Sequence, residues 1–300
     1  MTGLLLRRVL GLAALETLRS LPRIDTLTGA LRTIIRQPGD PMSGTMPLLS
    51  FPAKHVALIE LNRPGAANRI QPEDLGELRG HLAACEANED VRALVLAANG
   101  PHFSAGFDLR ALVAGLHAPE RASEGESAFA ALADQLEDTR LIVVAAIQGP
   151  VLGGATDLAL ACDLRIGCAR SEMQMPAARF GLPLYAGALQ RYVNRLGLNH
   201  AKRLVFTAET ITAAEMLSIG FLTELVEPDD VRARALALAV RVAEMPPKPL
   251  AAMKRVLNAS ARGVGTAPEQ HEVLRAALDG PGVAARIDSI RSKRRPADRG

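Results

Sequence analysis

The chain has 300 residues, of which 48% are hydrophobic, so it is long and apolar enough to bury a full core. Its 35 basic and 32 acidic residues nearly cancel and only 3% of the residues are aromatic, which argues against a nucleic-acid-binding protein. The longest apolar runs, such as Leu141–Ile147, are far shorter than the roughly 20 residues that span a bilayer, so we expect no transmembrane segment.

The first 45 residues differ in composition from the rest of the chain. Leu, Ile and Arg recur there at near-helical spacing, with Glu16 and Asp25 as the only acids before the Pro- and Gly-rich stretch Gln37–Thr45. We interpret residues 1–45 as a basic amphipathic extension and linker. A targeting or membrane-surface segment, a partner-binding helix pair, and sequence upstream of a true start at Met42 or Met46 all stay open.

From Val56 onward the pattern is that of a compact α/β protein. An apolar strand is predicted over Val56–Leu61, and a helix from Pro72, where apolar residues recur at three- and four-residue spacing. Two further apolar runs, Val91–Ala97 and Leu141–Gln148, read as buried strands. Strands that alternate with helices indicate an α/β core.

The second half of the core continues this alternation and then becomes helical. A helix is predicted over Ala155–Cys162, followed by short strands at Leu164–Ile166 and Met173–Met175. Thr212 with Glu215 forms a capping box at the start of a later helix. We therefore expect a core over residues 46–205 and a helical region over residues 206–300.

Cysteine usage indicates the redox setting. The three cysteines, Cys85, Cys162 and Cys168, have no metal-ligand spacing, and each lies in an apolar stretch that we assign to the core. We predict no metal site and a cytoplasmic location.

Two glycine-bearing segments that follow buried strands can supply backbone hydrogen-bond donors. They are Phe103–Asp108 and Leu152–Asp157. Small residues let a ligand approach the main chain, and a helix that begins at such a turn presents free N–H groups to an oxygen that gains negative charge. The alternative is that the glycines only close tight turns. Neither segment matches a P-loop or the dinucleotide fingerprint GxGxxG.

Taken together and in this order, these segments resemble the crotonase (enoyl-CoA hydratase/isomerase) superfamily. The resemblance covers about residues 54 to 297. The matching stretches are Leu61–Asn68 (LNRPxxxN), Phe103–Leu109 (FxAGxDL), Gln148–Leu158 (NGxxxGGGxEL), Ala161–Asp163 (ACD), Gly187–Arg191 (GGxQR), Ile211–Phe221 (a helix ending in AxxxGL) and Ser292–Pro296 (EKRxP).

The resemblance implies a fold, an assembly and a substrate class. The fold is a crotonase-like spiral of ββα turns with a helical C-terminal region that forms a homotrimer or a dimer of trimers. The substrate is an acyl-CoA, with coenzyme A as part of the substrate and no other cofactor. The thioester oxygen is expected between the N–H groups of Phe107 and Gly154, the oxyanion hole. The substrate-binding residues implied are Ala66, Ala105, Gly106, Asp108, Leu109, Leu152, Gly153, Pro176, Ala177 and Tyr185.

Asp157 is the single carboxylate that the resemblance places in the site. It lies three residues after Gly154, so a helix that opens there carries it on the same face as the donors. It matches one of the two glutamates that activate water in the family's hydratases. The alternative is that Asp157 only favours the positive end of the helix.

The second family glutamate is expected directly after Pro176, but the chain has Ala177 there. Alanine cannot move a proton, so ordinary two-carboxylate hydration is in question. Tyr185 stands where the family has a glycine, and it is either a proton donor or water anchor or a packing residue. We expect Asp108 to cap a helix and Asp163 to be structural as well, and Arg110 and Lys254 to be weak phosphate contacts.

Three functions are compatible with this pattern. The first is hydration or double-bond isomerisation of an enoyl-CoA with Asp157 as the catalytic carboxylate. The second uses the oxyanion hole for thioester hydrolysis, decarboxylation or dehalogenation. The third is a CoA-binding trimer subunit that has lost catalysis.

Overall fold

A six-stranded sheet forms the centre of the molecule. The computed structural model describes residues 46–111, 119–264, 271 and 275, with side chains for all of these except 119–127. The strands lie in the order β1-β2-β3-β4-β6-β9, and only β1 runs antiparallel to its neighbour. Their bounds are Leu48–Ala53 (β1), Val56–Leu61 (β2), Ala93–Ala98 (β3), Ile142–Ile147 (β4), Leu164–Cys168 (β6) and Glu224–Val226 (β9).

A second, smaller sheet lies at the ends of the central strands. It consists of Val151–Leu152 (β5), Glu172–Gln174 (β7) and Thr210–Thr212 (β8) in the order β5-β7-β8. The helices are Pro72–Ala87 (α1), Pro119–Asp138 (α2), Gly154–Ala161 (α3), Ala186–Leu196 (α4), Leu198–Thr207 (α5), Ala213–Ser218 (α6), Val231–Ala243 (α7) and Pro247–Ala261 (α8).

The chain repeats one unit, a strand in the large sheet, an extended segment in the small layer and a helix. The clearest example is β4, β5 and α3, which follow one another without a long loop. In the preceding unit the extended residue is Ser104, which follows β3 in the chain and forms a parallel bridge to Val151. In the unit before that it is Ile70, which precedes α1 and forms a parallel bridge to Phe107. This arrangement is the predicted spiral of ββα turns.

The large sheet is covered on both faces, which explains its nearly continuous apolar strands. One face packs with α1, α2, α3 and the small sheet into a core that includes Leu82, Leu94 and Ile147. The other face packs against α7 and includes Val95 and Val144. All six residues of β3 are buried as a result.

The predicted strands at 56–61, 91–97, 141–148, 164–166 and 173–175 and the helices from 72 and 155 are confirmed, with ends that shift by one or two residues. Thr212 accepts a hydrogen bond from the Glu215 N–H at 3.5 Å, as expected at the start of α6. Sequence reasoning missed the helix α2 and the strands β1, β5, β8 and β9. The last two add strands to both sheets from beyond residue 205, so the division of the chain at that point stays a prediction.

The cysteines lie in the core as predicted, whereas Lys254, which we expected to contact phosphate weakly, is structural. The three cysteines are buried and free, and burial raises the pKa of Cys85 to about 11 and that of Cys162 to about 12. Lys254 is buried, and its ammonium group donates to the Leu141 carbonyl and to Asp163, both at 2.8 Å. It is therefore not a phosphate contact. Residues 1–45 and the Ser292–Pro296 motif lie outside the described residues.

Candidate active site

Three loop segments lie side by side at the ends of β2, β3 and β4. The Ala105 N–H donates to the Ala67 carbonyl at 2.8 Å, and the Leu152 N–H donates to the Ser104 carbonyl at 2.9 Å. Asn68 fixes the first two segments, because its side-chain NH₂ group donates to the carbonyls of Asn99 and His102 at 2.8 Å. The two glycine-bearing segments and the turn Pro64–Ala66, called the Ala66 turn below, are therefore neighbours.

The Phe107 N–H faces away from the Ala66 turn. In the peptide that joins Gly106 to Phe107, the carbonyl accepts a hydrogen bond from the Ile70 N–H at 2.8 Å. The N–H of a trans peptide points opposite to its carbonyl, so the Phe107 N–H points away from Ile70. Within the described residues it donates to no protein acceptor.

The orientation of the Gly154 N–H, at the start of α3, follows from the same peptide geometry. The Gly153 carbonyl accepts hydrogen bonds from the Thr156 N–H at 3.0 Å and from the Thr156 hydroxyl at 2.6 Å. The Gly154 N–H therefore points out of the helix, and it too donates to no protein acceptor among the described residues. Phe107 and Gly154 are only partly buried.

The glycines at this junction allow the segments to touch. Gly106 has φ +83°, and a Cβ there would lie 2.5 Å from the Leu152 carbonyl oxygen and 2.8 Å from the Gly154 nitrogen. A Cβ at Gly154 would lie 2.8 Å from the ring of Phe129. That ring also packs edge-on against Phe107, with ring centroids 5.8 Å apart. Phe129 thus contacts both donor residues.

Asp157 lies on the first turn of α3 and is almost fully buried, with 1% of its surface exposed. Its carboxylate receives a two-pronged ion pair from Arg191, from Nε to Oδ1 at 2.8 Å and from Nη2 to Oδ2 at 2.9 Å. The Tyr185 hydroxyl donates a third hydrogen bond, to Oδ2. Burial of the charge is tolerated because the carboxylate is paired and hydrogen-bonded.

Arg191 belongs to a larger charge cluster that joins α2, α4 and α8. Its Nη1 donates to Asp134 at 2.7 Å and to Glu137 at 3.2 Å. Glu137 in turn accepts from Arg195 at 3.2 Å and from Arg262 at 2.7 Å. The cluster alternates in sign, so each buried charge has an opposite neighbour.

The cluster shifts the pKa of its members in directions that keep the pairs charged. Burial would lower the pKa of the Arg191 guanidinium, but hydrogen bonds to Asp157 and Asp134 raise it well above its usual range. Burial would likewise raise the pKa of Glu137, but Arg262 and Arg191 outweigh this effect and lower it. Burial and the Asp157 charge raise the pKa of Tyr185, so its phenol keeps its proton.

The remaining predicted residues surround these groups. Pro176 and Ala177 follow β7, whose Gln174 carbonyl accepts the Gly153 N–H at 2.9 Å, so this turn adjoins the glycine segment. Ala177 is partly buried and packs on the same core as Tyr185. Asp108 accepts the Arg110 N–H at 2.8 Å and pairs with Arg69 at 3.1 Å, consistent with the structural role predicted for it.

Sequence reasoning missed the partners of Asp157. Arg191 was quoted only as the end of a motif, and Phe129, Asp134 and Glu137 were not considered. One signal was present: Arg191 stands between Ala188 and Tyr192 on the buried face of a helix, where an arginine needs a carboxylate partner. Which carboxylate Arg191 meets depends on how the helices pack, and the sequence pattern carries no information about that packing.

The part of the chain that the structure describes contains neither a membrane-spanning helix nor a group of side chains arranged as a metal site. None of its helices has the length and apolarity needed to cross a membrane. Among the same residues, no group of three or more His, Cys, Asp and Glu side chains is arranged to hold a metal ion.

Comparison with known proteins identifies relatives of most of the described region. The family model for enoyl-CoA hydratase/isomerase matches residues 52–277. The chain is 30% identical over 208 residues to the short-chain-enoyl-CoA hydratase of Clostridium acetobutylicum, a match that covers 68% of this chain and 77% of that protein.

Solved structures show the same fold. An enoyl-CoA hydratase from Bacillus anthracis superposes with a TM-score of 0.78 at 25% identity, covering 84% of this chain and 98% of that one. The Pseudomonas aeruginosa protein DspI superposes with a TM-score of 0.77 at 31% identity, covering 87% of this chain and 100% of that one.

Gly154→Ala should destabilise the fold because its Cβ would collide with Phe129, which is packed on both sides. We expect a loss of about 1–3 kcal/mol in the free energy of unfolding, measured by urea denaturation. Phe129→Leu removes the ring that the new Cβ would meet. The double variant Gly154→Ala, Phe129→Leu should therefore lose less stability than the sum of the losses in the two single variants. Gly80→Ala, in α1 with nothing within 4 Å, is the matched control and should not destabilise. Strict additivity would contradict the contact.

Glu137→Gln should cost stability near neutral pH and not in acid. Because the folded-state pKa of Glu137 is lowered, its ionised form stabilises the fold at pH 7, and this contribution disappears as the pH falls below about 4.5. We expect the parent to exceed the variant by about 1–3 kcal/mol at pH 7, and the gap to shrink on acidification. Chemical denaturation from pH 7 to 3.5 measures it, with the exposed Glu227→Gln as control. A gap that stays constant with pH would refute this role.

Proposed function

Because this chain belongs to the enoyl-CoA hydratase/isomerase family, we propose that it shifts the double bond of an enoyl-CoA through a thioester enolate. One observation carries the proposal. Among the described residues, the N–H groups of Phe107 and Gly154 donate to no protein acceptor and belong to adjoining segments, and Asp157 lies on the first turn of the helix that begins with the second donor. Paired donors and one carboxylate are the groups that an enolate mechanism needs.

The proposed chemistry is a proton transfer by one base. The Asp157 carboxylate removes a proton from the carbon next to the thioester, and the electrons of the broken C–H bond form the enolate, whose oxygen binds the Phe107 and Gly154 N–H groups. The same proton then returns to the fourth carbon of the acyl chain as the double bond moves into conjugation with the carbonyl. Each donor is expected to contribute about 10²–10³ in rate.

The rest of the junction is proposed to bind the substrate. We infer that the coenzyme A portion lies along the Ala66 turn and the loop of Ala105, Gly106, Asp108 and Leu109. The acyl group would lie among the residues around α3 and the turn after β7, which are Leu152, Gly153, Pro176, Ala177 and Tyr185. Coenzyme A enters as part of the substrate, and no further cofactor is proposed.

Hydration is the second candidate reaction, supported by the named function of the Clostridium acetobutylicum relative. Water addition needs a group to hold and deprotonate water and a proton for the adjacent carbon. Ala177 supplies neither, and the Tyr185 hydroxyl already donates its hydrogen bond to Asp157. This favours isomerisation, which needs a single base. Thioester hydrolysis, decarboxylation or dehalogenation, and a CoA-binding subunit without activity, remain the alternatives.

Assembly and location are also proposed from the family resemblance. We infer a homotrimer or a dimer of trimers formed through the C-terminal helices, which sedimentation equilibrium would decide. Large apolar side chains are exposed on α5 and α8, among them Phe206, Met253 and Leu257, and they are available for such contacts. A cytoplasmic location stays a prediction from cysteine usage.

Asp157→Asn should abolish isomerisation while acyl-CoA binding persists. The amide keeps the shape of the carboxylate but cannot accept a proton, so kcat is expected to fall about 10²–10⁴-fold. Turnover is measured on a panel of enoyl-, 3-hydroxyacyl- and malonyl-type CoA thioesters, and binding by calorimetry. The surface variant Asp229→Asn is the control. If the parent turns over no thioester but binds acyl-CoA, the non-catalytic alternative is correct; full activity in Asp157→Asn would make Asp157 structural.

Ala177→Glu should raise hydration of a short enoyl-CoA such as crotonyl-CoA. The new carboxylate would restore the second acid, and a general acid or base is worth about 10²–10⁴ in rate, of which we expect at least tenfold. Loss of absorbance of the conjugated thioester measures hydration. Ala177→Gln has the same size without the proton transfer and should show no gain. Equal rates in the parent and the glutamate variant would mean that the missing acid does not limit hydration.

A further inference from the structure

The hydrogen bonds to Asp157 leave one position on the carboxylate open. A carboxylate has two oxygens and about four lone pairs. Oδ2 accepts from Arg191 Nη2 and from the Tyr185 hydroxyl, whereas Oδ1 accepts only from Arg191 Nε. Among the described residues, the remaining acceptor position therefore lies on Oδ1.

The guanidinium that occupies two of the other three positions is held in place by further ion pairs. Arg191 Nη1 donates to Asp134 and Glu137, so the edge formed by Nε and Nη2 faces Asp157 and cannot rotate away without breaking these pairs. All three nitrogens of the guanidinium have carboxylate partners.

The second lone pair of Oδ2 accepts the hydrogen bond from Tyr185, the residue that stands where the family has a glycine. It is partly buried, and its phenol keeps its proton, so it acts on Asp157 as a hydrogen-bond donor. The phenol and the guanidinium together make the two carboxylate oxygens unequal. That inequality matters for a base that must collect a proton from one carbon and deliver it to another.

We propose that Arg191 is a positioning residue that confines proton transfer to Oδ1 of Asp157. The inference rests on the proposed function and refines it. The fixed fork holds Oδ1 at one point from which it serves both carbons, and it prevents the carboxylate from turning so that either oxygen reacts. Arg191 acts through Asp157 and touches no reacting atom.

The fork geometry, more than the charge, is what the proposal requires. A lysine keeps a positive charge but presents a flexible ammonium group that cannot bond both oxygens from one rigid plane. A small displacement of a reacting group can cost about 10² in rate. The consequence should therefore appear in kcat, because substrate binding depends on other residues.

The first experiment compares Arg191→Lys with the parent on the enoyl-CoA that the parent isomerises fastest. We expect kcat to fall about 10²-fold with KM within about threefold. Arg234→Lys is the matched control, since Arg234 makes the same fork with Glu224, at 2.7 and 2.9 Å, between α7 and β9. It should keep the parent's kcat. An Arg191→Lys enzyme with unchanged kcat would overturn the proposal.

Chemical rescue separates positioning from general damage to the fold. Arg191→Ala should recover at least tenfold in kcat when millimolar guanidinium is added, because the ion can reoccupy the fork site, and ammonium should not rescue. Rescue should disappear in the Arg191→Ala, Asp157→Asn double variant. If a folded Arg191→Ala variant is rescued equally by both ions, only charge is needed and the proposal is wrong.

A readout without turnover distinguishes failure of this inference from failure of the proposed function. The chain has two tyrosines, so 3-fluorotyrosine labelling gives two fluorine resonances, assigned with Tyr185→Phe. Arg191→Lys should move the Tyr185 resonance, because Asp157 loses its fixed orientation, while Arg234→Lys should not. An unmoved resonance overturns the positioning role. If Arg191→Lys moves the Tyr185 resonance but the parent turns over no enoyl-CoA, the proposed function and the proton-transfer role are refuted. Only the positioning of Asp157 by Arg191 then remains.

Discussion

A carboxylate with 1% of its surface exposed cannot remain charged without partners, and the pairing of Asp157 with Arg191 meets that requirement. Much of the site depends on this pair. It joins α3 to α4, and through Asp134 and Glu137 it joins both helices to α2, on which Phe129 also lies. The same contacts that make burial of the charge tolerable also determine where the acid stands relative to the helix start.

The backbone donors are fixed by a different and more local device. Each N–H belongs to a peptide whose carbonyl is already bonded, to Ile70 in one case and to Thr156 in the other, so planarity alone turns the N–H groups outward. Side chains can vary around such donors without moving them. Gly106 and Gly154 are required because the segments and Phe129 pack too closely for a Cβ.

The departure at the second acid changes what this scaffold can do. Ala177 removes a group that could hold water, and Tyr185 brings a phenol that donates to Asp157. Among the described residues, the carboxylate is left with one open acceptor position, on Oδ1, which suits a proton that moves between two carbons better than the addition of water. Together with the family membership, this arrangement is why we propose isomerisation as the first candidate reaction and hydration as the second.

Local pattern determined most of the architecture: buried strands appear as apolar runs, helix starts carry Pro72 or the Thr212 cap, and the glycine segments mark where the main chain is exposed. The strands β1, β5, β8 and β9 were missed because short or edge strands contain too few buried residues to produce a pattern. The sequence alone also placed Asp157 on the first turn of a helix. Only the tertiary structure decided that Arg191 would meet it, because that contact depends on how α3, α4 and α2 pack, and pairing across 34 residues leaves no periodic trace in the chain.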